Sequence, residues 1–543
     1  MKLWQGLAIV ALLWAALYLP FLGSTELRGE EARRVLPART MLQTGDWVVP
    51  RIGGMEYSSK PPLINWTIAG VFALTGVQNE WTARVPSVLW LLAFALVATC
   101  ALSKRFGVWQ AATASLFFLS ALGMLDKGRT AEIDAMYAAQ TGIAYVLWAV
   151  WWAEGKLWRA YLVPAIFLGL GMLAKGPVHL FLFYGAVIPA LWMAKRRIDL
   201  VQAPHLLSVV LIAAIFLPWM GMNLHQVKAA AATSGVWVDQ VAVRFSFANI
   251  DWGRWALLPL QIFKDFLPGS LFLLLLWKLP RLEGDAPSSR SQDASPNAER
   301  WLCVIEGGKL AILAGWIILS LSPEFRPRYA MPLFGIASVV VVELSGRLDS
   351  HQGLAERMGR WWKDLNRTGL ILVALGGVVA MAAAAFGWKG LAWWHAWPGL
   401  VTGALICLGW RYLQRWPPLL TACVVLAGAQ ILVFQFSRPW KDQRGLCRPV
   451  ARSLHEMIPD DGRKLIFYKP GFLRFLFYVQ RPYLEVTKLS NDVEAAAGYL
   501  AVREPDLADS AVRSLISRKS GVELGRRQIE GGKFVFFALE RKG

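Results

Sequence analysis

The chain has 543 residues, of which 56% are hydrophobic, and it contains 28 tryptophans. This composition excludes an ordinary soluble enzyme. Lysine and arginine outnumber the acids by 57 to 37, for a net charge of +20. Basic loops on the cytoplasmic side and attraction to anionic membrane lipids account for most of this excess. No nucleic-acid-binding motif is present, so we predict membrane lipids and not nucleic acid as partners.

Apolar runs of membrane length recur between Leu3 and Phe436. Because a helix needs roughly 20 apolar residues to cross the hydrocarbon core, these runs predict about 13 spans. Lysine and arginine concentrate in alternate loops, which places the N-terminus inside and, with an odd number of spans, the C-terminus outside. We therefore predict a mainly α, polytopic membrane domain over residues 1–436, followed by an outward tail.

The first outer loop, residues 24–82, carries many charges for a loop between two spans. Glu30 and Glu31 form an acidic pair, and Lys60 precedes two prolines. The segment Leu27–Leu42 has helical character interrupted by Pro37, which predicts two short interfacial helices. The acidic pair is interpreted either as a solvated helix start or as carboxylates of an active-site loop, with Arg33 and Lys60 holding a phosphate.

Four further charged segments fall on the same predicted membrane face. The second outer loop ends at Asp134, for which Arg129 or Lys127 is the obvious partner. A structural ion pair and a role in a site are equally open for Asp134. Lys175 is either a snorkelling lysine or a ligand, and Arg328 with Tyr329 is either an interfacial anchor or part of a site. The outer loop 223–254 contributes the remaining group of charges.

From about Ser437 the composition changes to that of a small soluble domain. Four short strands and two helices are predicted in residues 437–543. The strands are Lys464–Tyr468, Phe475–Val479, Gly498–Val502 and Phe534–Leu539, and the helices are Pro449–Met457 and Leu507–Ile516. The tail is therefore predicted to be an α/β domain of about 105 residues, a typical domain length.

Several motifs occur in order along the membrane part. The first loop contains Glu-Glu-Ala-Arg from Glu30, Met-Leu-Gln-Thr-Gly-Asp-Trp from Met41, and Tyr-Ser-Ser-Lys-Pro-Pro-Leu from Tyr57. Later come Arg-Val-Pro-Ser from Arg84, Leu-Ala-Lys-Gly-Pro from Leu173 and Arg-Pro-Arg-Tyr-Ala-Met-Pro from Arg326. In sequence and spacing this series resembles the glycosyltransferases of the GT-C fold that use polyprenyl-phosphate sugars, specifically the aminoarabinose lipid A transferase and protein mannosyltransferase group.

The resemblance implies transfer of a single sugar from a polyprenyl (undecaprenyl) phosphate carrier to a lipid A, glycan or protein acceptor, with inversion. It implies a multi-pass protein of the bacterial inner membrane with a periplasmic C-terminal domain. The residues carried over as catalytic are Glu30, Glu31 and Asp134. Those carried over as substrate-binding are Arg33, Tyr57, Lys60, Arg129, Lys175, Arg244, Arg328 and Tyr329.

The chain departs from the family pattern at two positions. Glu30 stands where the family usually has aspartate, so the carboxylate reaches one methylene further. Ser59 replaces a glutamate that can join a histidine before an Arg-Phe pair to hold a metal, and no histidine lies close before Arg244-Phe245. We predict no metal and no cofactor.

Two alternatives of other classes stay open at this point, a transporter or flippase and a non-catalytic assembly protein whose C-terminal domain binds a partner. The same outward charges could form the headgroup pathway of a lipid-linked-sugar or solute transporter, or a flippase, without transferase activity. Transporters tend to show inverted repeats and broken helices near the membrane midplane, and the sequence shows neither.

Overall fold

The computed structural model describes residues 1–52, 55–57, 60–226, 251–276, 296–322, 325–348, 352–386, 418–433, 447–470, 474–479, 481, 483–530 and 532–540. These residues fall into two compact units. The helical unit comprises Met1–Leu22, Ser59–Leu63 and Arg84–Phe436. The mixed unit comprises Gly23–Ser58, Ile64–Ala83 and Ser437–Gly543, so the first outer loop groups with the C-terminal domain.

The helical unit is built from apolar helices joined by short connections. They are α1 (Leu3–Tyr18), α4 (Glu80–Phe106), α5 (Val108–Ser120), α6 (Leu122–Lys127), α7 (Ile133–Ala153), α8 (Leu157–Lys175), α9 (Val178–Met193), α10 (Ala203–Gln226), α11 (Trp252–Asp265), α12 (Gly269–Leu276), α13 (Pro296–Leu321), α14 (Leu333–Leu348), α15 (Gln352–Ala385) and α16 (Pro418–Leu432). Short 3-10 turns cover Arg197–Leu200 and Pro327–Ala330.

Five stretches of the described helices are long and apolar enough to cross a membrane. They are Glu80–Phe106, Leu157–Lys175, Arg197–Gln226, Asn297–Leu321 and Glu356–Ala383. Shorter apolar helices of 10–17 residues accompany them. The chain is therefore a multi-pass membrane protein, as predicted, and the number of about 13 spans stays a prediction.

Helix α7 forms the centre of the helical unit. Every one of its residues except Trp151 is buried. Gly142 of α7 lies against Gly335 of α14, and a Cβ atom added at Gly335 would come within 2.5 Å of the Gly142 Cα. Small residues let membrane helices approach this closely. The contact therefore fixes α14, and with it the 3-10 turn just before it, against α7.

In the mixed unit, α2 (Ala32–Thr44) is one continuous helix that contains Pro37. The prediction of two short helices divided at Pro37 is therefore wrong. The proline costs one backbone hydrogen bond. Four apolar neighbours (Val35, Leu36, Ala38 and Met41) are buried, and their burial offsets that loss. The loop continues through a hairpin of β1 (Arg51–Ile52) and β2 (Met55–Glu56) into α3 (Leu63–Thr75).

The C-terminal part of the mixed unit contains a five-stranded sheet in the order β4-β3-β5-β7-β6. The strands are β3 (Lys464–Tyr468), β4 (Tyr483–Val486), β5 (Ala497–Arg503), β6 (Val522–Ile529) and β7 (Gly532–Ala538). β3 pairs in parallel with β4 and β5, whereas β7 pairs antiparallel with β5 and β6. The helices are α17 (Cys447–Met457), α18 (Asn491–Ala496) and α19 (Ser510–Arg518), with 3-10 turns at Arg474–Tyr478 and Glu504–Ala508.

Three of the four predicted strands correspond to β3, β5 and β7, and helix α17 was also predicted. The strand predicted at Phe475–Val479 is wrong, because this segment is a 3-10 turn. Its first N–H groups, those of Arg474 and Phe475, donate to the Glu530 carboxylate at 3.1 and 2.9 Å and not to a neighbouring strand. The helix predicted at Leu507–Ile516 begins later, at Ser510, after a separate 3-10 turn.

Gly45 ends α2 in the left-handed conformation, with φ of 72°. Gly45→Ala is expected to destabilise the protein by about 1 kcal/mol, because a Cβ atom is disfavoured at this φ. Gly70 in α3 is the matched control, since an added Cβ meets nothing within 4 Å at either glycine. Thermal unfolding checks the pair: Gly70→Ala should not lower Tm, and an unchanged Tm in Gly45→Ala would contradict the argument.

Candidate active site

A buried cluster of charges joins three separate segments of the helical unit. Asp134 lies in the first turn of α7 and is only 5% exposed. The Lys175 ammonium, at the last residue of α8, contacts Asp134 Oδ1. Arg328, in the 3-10 turn Pro327–Ala330, places Nε 3.6 Å from Asp134 Oδ2. Three residues that are remote in the sequence therefore meet at the ends of helices.

Glu132 extends this cluster. Its carboxylate accepts hydrogen bonds from Lys127 Nζ at 3.0 and 3.2 Å and from Arg328 Nη1 at 3.3 Å. Burial raises the pKa of Glu132, although Lys127 and Arg328 act in the opposite direction. The cluster thus holds three cations against two carboxylates. Such an arrangement can take up an additional anionic group, and a phosphate is the anion that Lys and Arg bind best.

Aromatic rings enclose Lys175. Its Nζ lies 4.5 Å from the ring centroid of Tyr329 and 5.6 Å from that of Tyr137. The Tyr137 hydroxyl donates to the Gly176 carbonyl at 3.0 Å and accepts from the His179 backbone N–H at 2.6 Å. These bonds hold the turn after α8 in place. Lys175 is therefore a half-buried cation that is paired with Asp134, not a snorkelling side chain.

Arg129 has a different environment. Its guanidinium donates to the Leu17 carbonyl at 2.9 Å and also to the Pro20 carbonyl. Arg84 donates similarly to the Leu22 carbonyl at 2.6 Å. Both arginines thereby bind the carbonyls at the end of α1. Lys127, the other partner predicted for Asp134, pairs with Glu132.

Two predicted phosphate ligands remain to be placed. Lys60 is half-buried at the start of the Lys-Pro-Pro segment, which belongs to the helical unit. Arg244 lies outside the described residues. The predicted role of each stays a prediction.

An apolar cavity of about 310 Å³ lies between α11, α12, α13 and α14. Its lining includes Phe266, Leu274, Trp316, Ala330 and Phe334. Ala330 belongs to the same 3-10 turn as Arg328. The cavity is apolar and could hold a hydrocarbon chain. One of its lining residues, Ala330, lies two positions after Arg328 in the sequence.

The second candidate group lies in the mixed unit, around Glu30. The Glu30 side chain is 26% exposed. Arg33 Nη1 donates to both Glu30 oxygens at 3.1 Å, and Arg34 Nη2 lies 3.8 Å from Oε2. Arg34 also donates to the Tyr57 hydroxyl at 3.1 Å. Glu30 therefore has a carboxylate that is oriented by two arginines and still accessible.

Glu31 differs from its neighbour. It is fully buried, and its Oε2 accepts from the Arg28 backbone N–H at 2.7 Å. The Arg28 guanidinium in turn donates to Thr25 Oγ1 at 2.7 Å. Asp46 has a comparable local role, because its Oδ1 accepts from the N–H groups of Val48 and Val49. These two carboxylates shape the loop, whereas Glu30 presents an oxygen to its surface.

Sequence reasoning missed Glu132 and Tyr137 as parts of the helical-unit cluster. Glu132 had one available signal, since it stands two residues before Asp134 at the start of an apolar helix. Tyr137 gave none, because a tyrosine one turn into an apolar run is typical of a packed core. Among the described residues, no group of three or more His, Cys, Asp or Glu side chains could hold a metal ion.

The helical fold and part of the sequence have counterparts among known proteins. Residues 59–221 match the family model described as dolichyl-phosphate-mannose-protein mannosyltransferase. The structure resembles that of ArnT from Cupriavidus metallidurans bound to undecaprenyl phosphate, with a TM-score of 0.65 at 16% identity over 98% of this chain and 97% of that one. The resemblance found in the sequence is confirmed.

Curated relatives point the same way. The chain is 26% identical over 363 residues to the undecaprenyl phosphate-alpha-4-amino-4-deoxy-L-arabinose arabinosyl transferase of Pseudomonas savastanoi pv. phaseolicola, covering 64% of this chain and 63% of the relative. It is 29% identical over 281 residues to the protein of the same name from Serratia proteamaculans, covering 48% and 49%. The matched regions thus span about half to just under two thirds of these relatives.

Proposed function

We propose that the chain is a glycosyltransferase of the bacterial inner membrane that moves one sugar from an undecaprenyl phosphate carrier to an acceptor on the periplasmic face. The observation that carries this proposal is that one 3-10 turn contains both Arg328, a cation of the charge cluster, and Ala330, which lines the apolar cavity. A polyprenyl-phosphate sugar needs both a cationic site for its phosphate and an apolar site for its chain. Relatives named as undecaprenyl phosphate-dependent arabinosyl transferases support the same carrier.

In the proposed reaction, an acceptor oxygen attacks the anomeric carbon of the sugar. The bond from that carbon to the carrier phosphate breaks, and the bonding electrons leave with the phosphate. Lys175 and Arg328 stabilise the negative charge that develops on this leaving group, while Lys60 and Arg244 bind the same phosphate. Asp134 holds both Lys175 and Arg328 in position, and Glu132 contacts Arg328 as well. A single displacement inverts the anomeric carbon.

Glu30 is the carboxylate that we assign to the acceptor, with Arg33 and Tyr57 completing its surroundings. When the acceptor is a hydroxyl group, Glu30 accepts its proton as the new bond forms. When the acceptor is a phosphate, as in lipid A, the nucleophile is already ionised and Glu30 only positions it. The remaining loop carboxylate, Glu31, acts through the loop backbone.

A transfer assay in membranes tests the proposal. Polyprenyl phosphates carrying different radiolabelled sugars are supplied one at a time, and label is followed from the carrier to lipid A, glycan and protein fractions. Label that leaves one carrier only in membranes containing the protein would support a transferase and identify the sugar. Label that crosses the bilayer while still attached to its carrier would overturn the proposal in favour of transport.

The apolar cavity yields a separate prediction. Leu274→Asn is expected to raise the KM for a long-chain donor about tenfold, because an amide buried against hydrocarbon without partners costs at least ~1 kcal/mol. Leu274 lines the cavity and is 63% exposed, whereas the control Leu310 is 48% exposed and does not line it. Leu310→Asn should leave KM unchanged. Equal KM values for the two variants would remove the cavity from the donor site.

A further inference from the structure

The mixed unit contains an open cleft of about 990 Å³. Its walls come from the C-terminal half of α2, the start of α4, helix α17 and the edge of the sheet at β3 and β4. Glu30, Arg33 and Tyr57 do not line it. The charged side chains in the lining are Arg39, Glu80, Arg448, Arg452, Lys464 and Arg481. Five cations therefore face a single carboxylate.

Three of these arginines are fixed by the protein itself. Arg39 donates to the carbonyls of Phe477 and Leu476 at 2.9 and 3.2 Å. Arg481 is 6% exposed and likewise donates to backbone carbonyls, among them that of Ile458 at 3.2 Å. Only Arg448 is paired with the carboxylate, at 2.5 Å from Glu80 Oε1. Carbonyls orient a guanidinium without neutralising it, so the cleft keeps most of its positive charge.

The two remaining cations have no partner within the described part of the chain. Arg452 on α17 and Lys464 at the start of β3 are both exposed, and neither side chain forms a hydrogen bond or ion pair there. Clustered like charges in a concave surface repel one another and raise the local concentration of anions. A bound anion would relieve this repulsion. Arginine forks and lysine ammonium groups are suited above all to phosphate.

The rest of the lining indicates more than a bare phosphate. The cleft has the volume of a ligand site of about 300–1,000 Å³ and is far larger than one phosphate group. Gln43 and Gln78 contribute amides, which can bond to hydroxyl groups. Tyr478 contributes a half-buried ring, which can pack against the face of a sugar. Cations, amides and an aromatic ring together match a saccharide that carries a phosphate.

We propose that this cleft binds a phosphorylated saccharide. Arg39 and Gln43 lie on α2, and Glu30 lies two residues before the same helix. At ~1.5 Å per residue, the nine positions from Glu30 to Arg39 correspond to roughly 13 Å, about the length of a disaccharide. The cleft would then hold the phosphate-bearing end of the acceptor while another of its groups reaches Glu30. That the cleft holds the acceptor of the transfer reaction rests on the proposed function. That the cleft binds a phosphorylated saccharide does not.

Isothermal titration calorimetry on the full chain in detergent tests the site without any sugar donor. The probes are glucosamine 6-phosphate, glucosamine and inorganic phosphate. The wild-type protein is expected to bind glucosamine 6-phosphate at least tenfold more tightly than either of the other two. The double variant Arg452→Ala/Lys464→Ala should bind it at least tenfold more weakly. The control Lys488→Ala/Arg513→Ala removes two exposed cations of the same unit that do not line the cleft, and should bind like wild type.

Several outcomes would overturn the proposal. Unchanged binding in the Arg452/Lys464 variant would show that the cleft is not the site, and equal weakening in both double variants would show only a general effect of charge. Equal affinity for inorganic phosphate and glucosamine 6-phosphate would exclude a saccharide site. Binding of glucosamine 6-phosphate without sugar transfer in the membrane assay would refute the transferase but not the binding site. Sugar transfer without such binding would refute the binding site but not the transferase.

Discussion

Glu30→Gln is expected to lower sugar transfer by about 10²–10⁴-fold, the usual contribution of a positioned acid–base group, if the acceptor is a hydroxyl. The glutamine keeps the size of the side chain and one oxygen that can accept from Arg33, but it cannot accept a proton from the acceptor. Transfer rates measured in membranes, normalised to the amount of inserted protein, check this. Because Glu30 is partly exposed, the variant should fold and insert normally.

Glu56→Gln is the matched control. Glu56 lies in the same loop, and its carboxylate pairs with Arg51 at 3.6 Å in a similarly exposed setting. Loss of such a surface pair costs less than about 1 kcal/mol, so transfer should be unchanged. Glu30→Asp adds a second check, because it keeps a carboxylate that is one methylene shorter and should retain part of the activity. Full transfer by Glu30→Gln would eliminate Glu30 as the acceptor-facing carboxylate.

The second large effect is expected at Lys175. Lys175→Met should lower kcat/KM for the donor by about 10²–10³-fold, the cost of removing one charge-stabilising group from a buried site. It should also destabilise the protein by about 3–5 kcal/mol, because it removes one partner of a buried ion pair. Asp134 would keep Arg328 but lose its closest cation. Donor-dependent kinetics and thermal unfolding measure the two effects separately.

A double variant separates binding from stability. Lys175→Met/Asp134→Asn removes both charges, so Tm should recover much of the loss while transfer stays low. If Lys175 acts only in a structural ion pair, Tm should recover in the same way, because replacing a whole buried pair is often neutral for stability, and transfer should recover as well. Recovery of both Tm and transfer in the double variant would therefore show that Lys175 acts only on the fold.

Much of the candidate site could be predicted from local sequence. Glu30, Lys60 and Arg328 stand in ordered motifs whose spacing is visible without a structure. Carboxylates and cations at the ends of apolar runs are costly unless they are paired or functional, which marks Asp134 and Lys175 as well. Some backbone conformations could not be predicted. The sequence did not indicate that the Glu530 carboxylate accepts from the N–H groups of Arg474 and Phe475, which are therefore not available to a neighbouring strand.

Only the tertiary structure shows which charged side chains of the cluster are paired. Local sequence places Lys127 and Arg129 near Asp134, yet Asp134 is paired with Lys175 and Arg328, which lie far along the chain. The close approach of α7 and α14 at Gly142 and Gly335 decides this, because it brings the turn before α14 to the end of α7. By itself, the sequence determined a membrane protein with candidate site charges at the ends of its apolar helices. Which charges meet depends on helix packing, since buried ions pair only with groups within a few ångströms, and sequence distance does not predict that separation.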